Sequence, residues 1–431
     1  MKFSIHTLGC KVNQYESAAI AEKFVSMGYE QVPFGEDCDV CCINTCAVTE
    51  ESVRKSCQMI RRAKKISPHA VVAVTGCVPQ TYDADKKLPE ADVICGNSFK
   101  SKVPELVGEF LLNPQRIVRV DDISKNRDFE KMECTTGEHV RAVLKVQDGC
   151  NNFCSYCIIP YARGRIRSKP LDEAVSEACS LINGQKKYRE LVLSGIHLDN
   201  YGRDLGDVTL IDLIEKLSVI NGLERIRLGS LEPVFVTEEN VKRLSEVKNL
   251  CPHFHLSLQS GCEKTLKAMN RHYTPEEFTA AAELLRKHFP DCAITTDVIV
   301  GFPGETEEDF EKSAEFVKNT GFAKVHVFPF SERKGTRAAE MDGKVTKQVK
   351  TERAKRMGAV AAGAERDFYE SLVGKRISVL FETQENGVSV GHTPNYAEIR
   401  VENRGEDLIN QRKTVKITAA FDVYAVGEIS E

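Results

Sequence analysis

The stretch GCNNFCSYC at residues 149–157 places three thiols, Cys150, Cys154 and Cys157, within eight positions of one another. Structural zinc takes four protein ligands in a closed tetrahedral site. Neither His139 nor any nearby cysteine supplies a fourth at a zinc-like spacing. Three thiolates suit a four-iron cluster better: each binds one iron, and the fourth iron stays open for something other than the protein. The loop follows an apolar run at 142–146 that reads as a strand, so the thiols stand at a strand's carboxyl end.

Toward the C-terminus the same run opens a series. Strands read at 142–146, 190–193, 225–228, 254–258, 294–300 and 324–328, with helices between them. One helix is announced by Thr274 as N-cap, Pro275 at N1 and Glu277 at N3. Six such units imply a partial (β/α)6 barrel, whose chemistry belongs at the carboxyl ends of its strands. Residues 344–370 read as a helical connector. Short alternating runs at 377–381, 388–392, 397–401, 415–421 and 424–429 then imply a small all-β, OB-like barrel.

Toward the N-terminus, strands at 2–8, 40–43 and 71–74 alternate with helices, which implies a flavodoxin-like parallel α/β domain. Asn13 reads as the N-cap of the first helix with Glu16 at the capping-box position, and Thr49 as the cap of the second. Cys10, Cys46 and Cys77 each sit just beyond one of those strands. Ligands of open α/β sheets bind at that edge, where residues distant in sequence converge. The trio reads as a second four-iron site, whose exchangeable iron can carry an external sulfur ligand. The other ten cysteines read as buried small hydrophobes. Residues 121–138, polar and aperiodic, read as a linker, which divides the chain into 1–120, 121–138, 139–370 and 371–431.

The chain has 431 residues, 16 cysteines and a formal net charge of -4. It shows neither a signal-peptide pattern nor an apolar stretch approaching the ~20 residues of a membrane helix. A cytoplasmic protein without membrane association is expected, with reduced thiols used for metal or catalysis. No Ser-His-Asp arrangement or phosphate-binding glycine loop is present. The charge balance excludes a generally basic surface, so any polyanion site must be local. ARGRIRSK supplies Arg163, Arg165, Arg167 and Lys169 just after the thiols, either as phosphate contacts or as a solvated turn. RRAKK at 61–65 falls at a helix end, where cations favour the dipole. From residue 371 onward seven Lys or Arg face nine Asp or Glu. Tyr396 is either a base-stacking ring or core. His197, His255 and His272 read as structural, lacking an evident carboxylate partner.

CNNFCSYC resembles the CxxxCxxC motif of radical S-adenosylmethionine enzymes. That resemblance implies that the cofactor's methionyl group chelates the open iron and that cleavage yields a radical able to abstract hydrogen from a C–H bond. It also implies cofactor contacts. Ser194 and Gly195 in LVLSGIHL would meet the methionyl amine, Gln259 the ribose, and Gly301 with Gly304 and Glu305 the backbone approach after the fifth strand; all are also turn or cap residue types. Along nearly its whole length the chain resembles the methylthiotransferases, with an N-terminal methylthiotransferase domain, a radical core and a C-terminal TRAM domain. TLGCKVNQYES, CSYCIIPYARGRIRS, GIHLDNYG and RLGSLEP are most similar to the threonylcarbamoyladenosine tRNA enzymes. This implies two [4Fe-4S] clusters, S-adenosylmethionine, tRNA as substrate, and a sulfur donor and an electron donor as partners. Isopentenyladenosine tRNA and ribosomal protein S12 are the alternative substrates within the family. A non-catalytic RNA-binding protein with two metal sites is the alternative outside it.

Overall fold

The computed structural model describes residues 1–134, 140–403 and 405–430. His139 and the last residues of the expected linker, 135–138, lie outside the described residues. The first part alternates β1 (Lys2–Thr7), α1 (Lys11–Ser26), β2 (Glu30–Gln31), β3 (Val40–Thr45), α2 (Glu50–Ile66), β4 (Val71–Gly76), α3 (Cys77–Thr81), α4 (Ala84–Lys87), β5 (Val93–Cys95), α5 (Val103–Leu112) and β6 (Ile117–Arg119). Its strands form one parallel sheet ordered β2-β1-β3-β4-β5-β6. This is the expected flavodoxin-like order with one more edge strand. β3 and β4 are buried throughout because helices cover both faces. Phe3, Ile20, Phe24 and Val40 fill one core, and Ile43, Val53, Ile60 and Val74 the other.

Thr49 caps α2 as expected, accepting a bond from the Ser52 amide. Asn13 does not cap α1: Cys10 is the N-cap, and it makes no side-chain cap bond. Asn13 and Glu16 are instead fully buried one turn inside the helix. Asn13 Nδ2 donates to the Leu8 and Thr45 carbonyls, at 2.7 and 3.1 Å. Glu16 meets Lys100, Lys145 and Arg163. Long-range partners outbid the local capping pattern.

The middle part contains β7 (Ala142–Lys145), β8 (Gln147–Asp148), α6 (Ile159–Arg163), β9 (Arg167–Ser168), α7 (Leu171–Asn183), β10 (Glu190–Ser194), α8 (Leu210–Ser218), β11 (Arg225–Leu228), β12 (Ser230–Leu231), α9 (Glu238–Glu246), β13 (His253–Leu256), α10 (Glu263–Ala268), α11 (Pro275–His288), β14 (Ala293–Val300), α12 (Glu307–Thr320) and β15 (Lys324–Pro329). Two parallel sheets, β11-β10-β7 and β12-β13-β14-β15, make the arc of a partial barrel; its third strand is broken between β11 and β12. Leu144, Leu193, Ile226, Phe254 and Val298 belong to one core shared with the surrounding helices. The Thr274–Glu277 capping box starts α11 as expected.

The connector is α13 (Lys347–Glu370), whose Met357 and Ala361 join the barrel core. β16 (Arg376–Glu385), β17 (Val388–His392), β18 (Glu398–Glu402), β19 (Arg412–Ala420) and β20 (Ala425–Ile429) close a barrel in the order β16-β17-β18-β20-β19 around Val379, Phe381, Ile399 and Val415. Arg225 and Arg227 fix this small barrel to the large one. Arg225 donates to the His392 and Ser378 carbonyls at 2.9 Å each, and Arg227 to Pro394 O at 2.9 Å.

The described part of the expected linker, residues 121–134, is mostly exposed but pinned at a few points. Met132 and Cys134 are buried, Tyr15 Oη donates to Met132 O at 2.5 Å, and the Ser101 amide donates to the Glu130 carboxylate at 2.7 Å. Most of its polar side chains face solvent, as the composition implies, while Ile123, Met132 and Cys134 anchor the segment. Among the described residues no helix is long and apolar enough to cross a membrane.

Candidate active site

The loop after β8 carries Cys150, Cys154 and Cys157 to the carboxyl edge of the partial barrel. Gly149 opens it at φ 74°, so near the Arg165 carbonyl that a Cβ would stand 1.8 Å from the oxygen. Only glycine fits there. The Cys150 amide donates to Gly164 O at 3.0 Å and the Ser155 amide to Met269 O at 2.9 Å. Asn270 Nδ2 donates to the Asn152 and Phe153 carbonyls, both at 3.2 Å. Gln147 ties the loop to the next strand, accepting from the His197 amide at 2.8 Å and donating to Gly149 O at 2.7 Å. The protein thus holds the loop's course by its own hydrogen bonds.

Cys150 Sγ lies 3.5 Å from His197 Nδ1, and Arg271 Nη1 donates to Cys154 Sγ at 3.4 Å. Burial pushes the Cys157 thiol up to about 12, and Cys154 and Cys150 add to it. Burial also raises Cys154, against the pull of Arg271. The expectation that His197 lacks a carboxylate partner needs correction, since Asp199 stands 3.3 Å from its Nε2. Burial alone would lower that imidazole; Asp199 and Cys150 outweigh it and lift it to about 10. His255 likewise faces Asp297 at 3.6 Å. The Asp199 partner was visible in GIHLDN, two residues on. Arg271 lies over a hundred residues from Cys154 and left no such signal.

Cys10, Cys46 and Cys77 follow β1, β3 and β4, which are adjacent in the sheet; Thr7 pairs with Asn44 and Thr45 with Gly76. The register brings all three to one edge. Gly9, at φ 102°, lies against Cys46, whose Cβ would be 2.9 Å from a Cβ at Gly9. Cys10 is exposed while Cys46 and Cys77 are buried. Burial, then Cys77 and Cys10, push Cys46 up to about 11.

No cysteine is in a disulfide. Among the described residues no three His, Cys, Asp or Glu side chains close into a metal-ligand set; each trio shares an edge and electrostatic reach. The donor chemistry fits a four-iron cluster at both places. Each offers three free thiols, and buried polar atoms without hydrogen-bond partners lie alongside: Asn200 Oδ1 at one, Asn97 Oδ1 and Thr75 Oγ1 at the other. Thiols with raised pKa values lose protons when they bind iron, so assembly releases protons.

A cavity of about 660 Å³ connects the three parts of the molecule. Cys10, Lys11 and Val12 line it from the first part, Ser194, Gly195 and His255 from the barrel, and His392 and Tyr396 from the small barrel. Gln259, at φ 65°, and Gly301, whose amide donates to the Glu305 carboxylate at 2.6 Å, are not among its lining residues. Glu305 is clamped by Arg353 at 2.7 Å. A cavity of like volume beside Tyr15, Glu22 and Tyr188 touches none of the six cysteines. Tyr396 is not core: it is half-buried in left-handed backbone at φ 70°, its ring stacked on His392 with centroids 4.7 Å apart. Strained residues of this kind cluster at functional sites.

The basic run after the thiols is mostly internal. Arg163 is fully buried, paired with Glu16 at 2.6 Å and Asp148 at 3.2 Å. Arg167 is buried against Asp148, and Lys169 is buried with Glu177. These three therefore cannot serve as the expected phosphate contacts, because their charges are already matched by carboxylates on other elements. Arg165 alone of the four is exposed, 4.5 Å over the Phe153 ring, which meets Tyr161 edge-on. RRAKK behaves as expected, with Lys64 and Lys65 in the last turn of α2.

Residues 144–317 match the radical SAM superfamily, and residues 2–96 match the uncharacterized protein family UPF0004. The threonylcarbamoyladenosine tRNA methylthiotransferase MtaB of Bacillus subtilis is 40% identical over 99% of this chain and 95% of its own. The tRNA-2-methylthio-N(6)-dimethylallyladenosine synthase of Caldicellulosiruptor saccharolyticus is 34% identical over 99% of this chain and 92% of its own. Among solved structures, the radical S-adenosylmethionine methyltransferase TsrM of Kitasatospora setae aligns with a TM-score of 0.57 at 13% identity, over 95% of this chain and 82% of that one. That last likeness is one of fold.

Proposed function

The chain belongs to the radical S-adenosylmethionine tRNA methylthiotransferases, and from that premise we propose that it converts N6-threonylcarbamoyladenosine, just 3′ of the tRNA anticodon, into its 2-methylthio derivative. The observation that carries the substrate is the 40% identity to an enzyme of that name across 99% of the chain, against 34% for the dimethylallyladenosine relative.

In this reading Cys150, Cys154 and Cys157 hold one [4Fe-4S] cluster, and Cys10, Cys46 and Cys77 hold the other. Bound together with S-adenosylmethionine, they supply a carbon-centred radical, the sulfur and the methyl group. The chain's own residues position and enclose. Ser194 and Gly195 end β10 inside the cavity and meet the methionyl group; Gln259 and Gly301, at the ends of the fourth and fifth barrel strands, border the rest of the cofactor. Arg271 donates to Cys154 and His197 stands beside Cys150, which orients the two sulfurs at the loop. The apolar wall formed by Val12, Ile159, Ile196 and Leu228 limits water around the reacting C–H bond. Arg165 with Phe153 and Tyr161 is the RNA contact at the rim. tRNA is the macromolecular partner, in the cytoplasm, and a sulfur donor and an electron donor complete the cycle.

The test is mass spectrometry of digested tRNA nucleosides from cells with and without the gene. Loss of the species heavier than threonylcarbamoyladenosine by one CH2S unit, with the precursor accumulating, is the expected result. Loss of the methylthio form of isopentenyladenosine instead would assign the other relatives' reaction.

A further inference from the structure

Three cations gather at the ring of Tyr396, which lines the cavity shared by the three parts, and one of them, Lys11, lines that cavity too. Arg227 lies 4.5 Å from the Tyr396 centroid, Arg141 5.0 Å and Lys11 5.9 Å. Two of these charges are already matched. Arg227 pairs with Glu190 at 2.6 Å and also donates to the Pro394 carbonyl. Arg141 pairs with Glu382 at 2.9 Å. Lys11 differs: among the described residues no carboxylate forms an ion pair with it, yet its side chain opens into the cavity beside Cys10. Asp297, Glu365 and Glu398 also line the cavity, but they pair with His255, Lys324 and Arg400 and none forms an ion pair with Lys11. Lys11 is exposed to the space of the cavity and, among the described residues, unpaired there, which leaves its ammonium open to an anion that enters.

A chamber of about 660 Å³ is of the size that takes a modified nucleoside. The substrate of the proposed reaction carries its own anion, the carboxylate of the threonyl group, whereas a dimethylallyl substituent is neutral. We propose that Lys11, held near Tyr396, receives that carboxylate and is a specificity-determining residue for the N6 substituent. The inference rests on the substrate reading above and adds the group that reads it. Tyr396 is a positioning residue: its ring collects Lys11, Arg141 and Arg227 at the junction of the three parts.

The experiment uses the full-length enzyme with its clusters reconstituted anaerobically, iron being counted in every preparation. Fluorescence anisotropy measures binding of three anticodon stem-loop RNAs, bearing threonylcarbamoyladenosine, its neutral carboxamide, or isopentenyladenosine. The unaltered protein should prefer the acid to the carboxamide. Lys11→Gln should reduce that preference roughly tenfold or more, the scale of one charge-assisted contact. It should leave carboxamide binding and iron content unchanged, and Lys11→Arg should restore the preference. If Lys11→Gln discriminates acid from carboxamide as the unaltered enzyme does, the inference falls and the substrate reading stands. If the unaltered enzyme itself binds both alike, the inference falls; a preference for the isopentenyl RNA would overturn the substrate reading as well. Should Lys11→Gln lose iron, Lys11→Met is read on the same RNAs, and iron loss in both would place Lys11 in cluster binding and overturn the inference.

Discussion

Gly149 shows how much chemistry can hang on one missing side chain. Its left-handed backbone and the Arg165 carbonyl leave no space for a methyl group. Gly149→Ala should displace the loop of Cys150, Cys154 and Cys157 while leaving the other trio intact. Iron should fall from about eight to about four per chain after anaerobic reconstitution, as two four-iron clusters require. Single cysteines separate the two sites by function. Cys154→Ala should abolish 5′-deoxyadenosine formation on reduction with S-adenosylmethionine, while Cys46→Ala should keep that cleavage and stop the methylthio product; chromatography of both products checks the pair. The cysteines were legible because a strand end and a short spacing mark them locally. Arg163 and Arg167 were not, because the carboxylates that bury them, Glu16 and Asp148, are fixed by tertiary structure and not by spacing. The Asp199 partner of His197 was missed although it lay in plain sight, since a pair two residues apart has no regular geometry until the turn is known.

Elements follow the same division. The strand and helix runs of all three parts were legible from periodicity and caps, and Thr49 and Thr274 cap where the pattern placed them. α1 began earlier than the pattern implied because Asn13 and Glu16, good capping residues by type, are drawn inward by distant partners. The anchoring of residues 121–134 by Ile123, Met132 and Cys134 was equally hidden, since three apolar residues in a polar run make no periodic pattern. How the small barrel docks was also invisible: Arg225 on β11 reaches the backbone of β16 and β17 through two carbonyls. Arg225→Ala should cost the docked state about 3–6 kcal/mol, two hydrogen bonds to a charged group at the usual scale. Hydrogen exchange should rise in β16 and β17 and remain unchanged in the parallel sheet of the first part.

The molecule as a whole is joined by a buried charge cluster. Glu16 and Lys100 come from the first part, and Lys145, Asp148 and Arg163 from the barrel. Removing one partner strands the others, so Glu16→Gln should destabilise the protein by roughly 3–5 kcal/mol. Burial alone would raise the Glu16 carboxyl; Arg163, Lys100 and Lys145 outweigh it and hold it well below the usual carboxylate range. A carboxyl depressed on folding contributes fully above its unfolded value, about 4.3, and loses that contribution as pH falls toward the folded value. The Tm gap between the unaltered protein and Glu16→Gln should therefore be constant near neutrality and narrow below about pH 4; thermal scans across that range check it.

The chamber walled by all three parts also sets an order of events during synthesis. Chains fold domain by domain from the N-terminus as they emerge. Cys10, Cys46 and Cys77 are complete once β4 has paired, Cys157 follows within the barrel, and Tyr396 arrives near the end. A ribosome that stalls before β17 releases a protein that has every cysteine but lacks the last wall of the chamber. The chamber is therefore finished only when the last domain has been made.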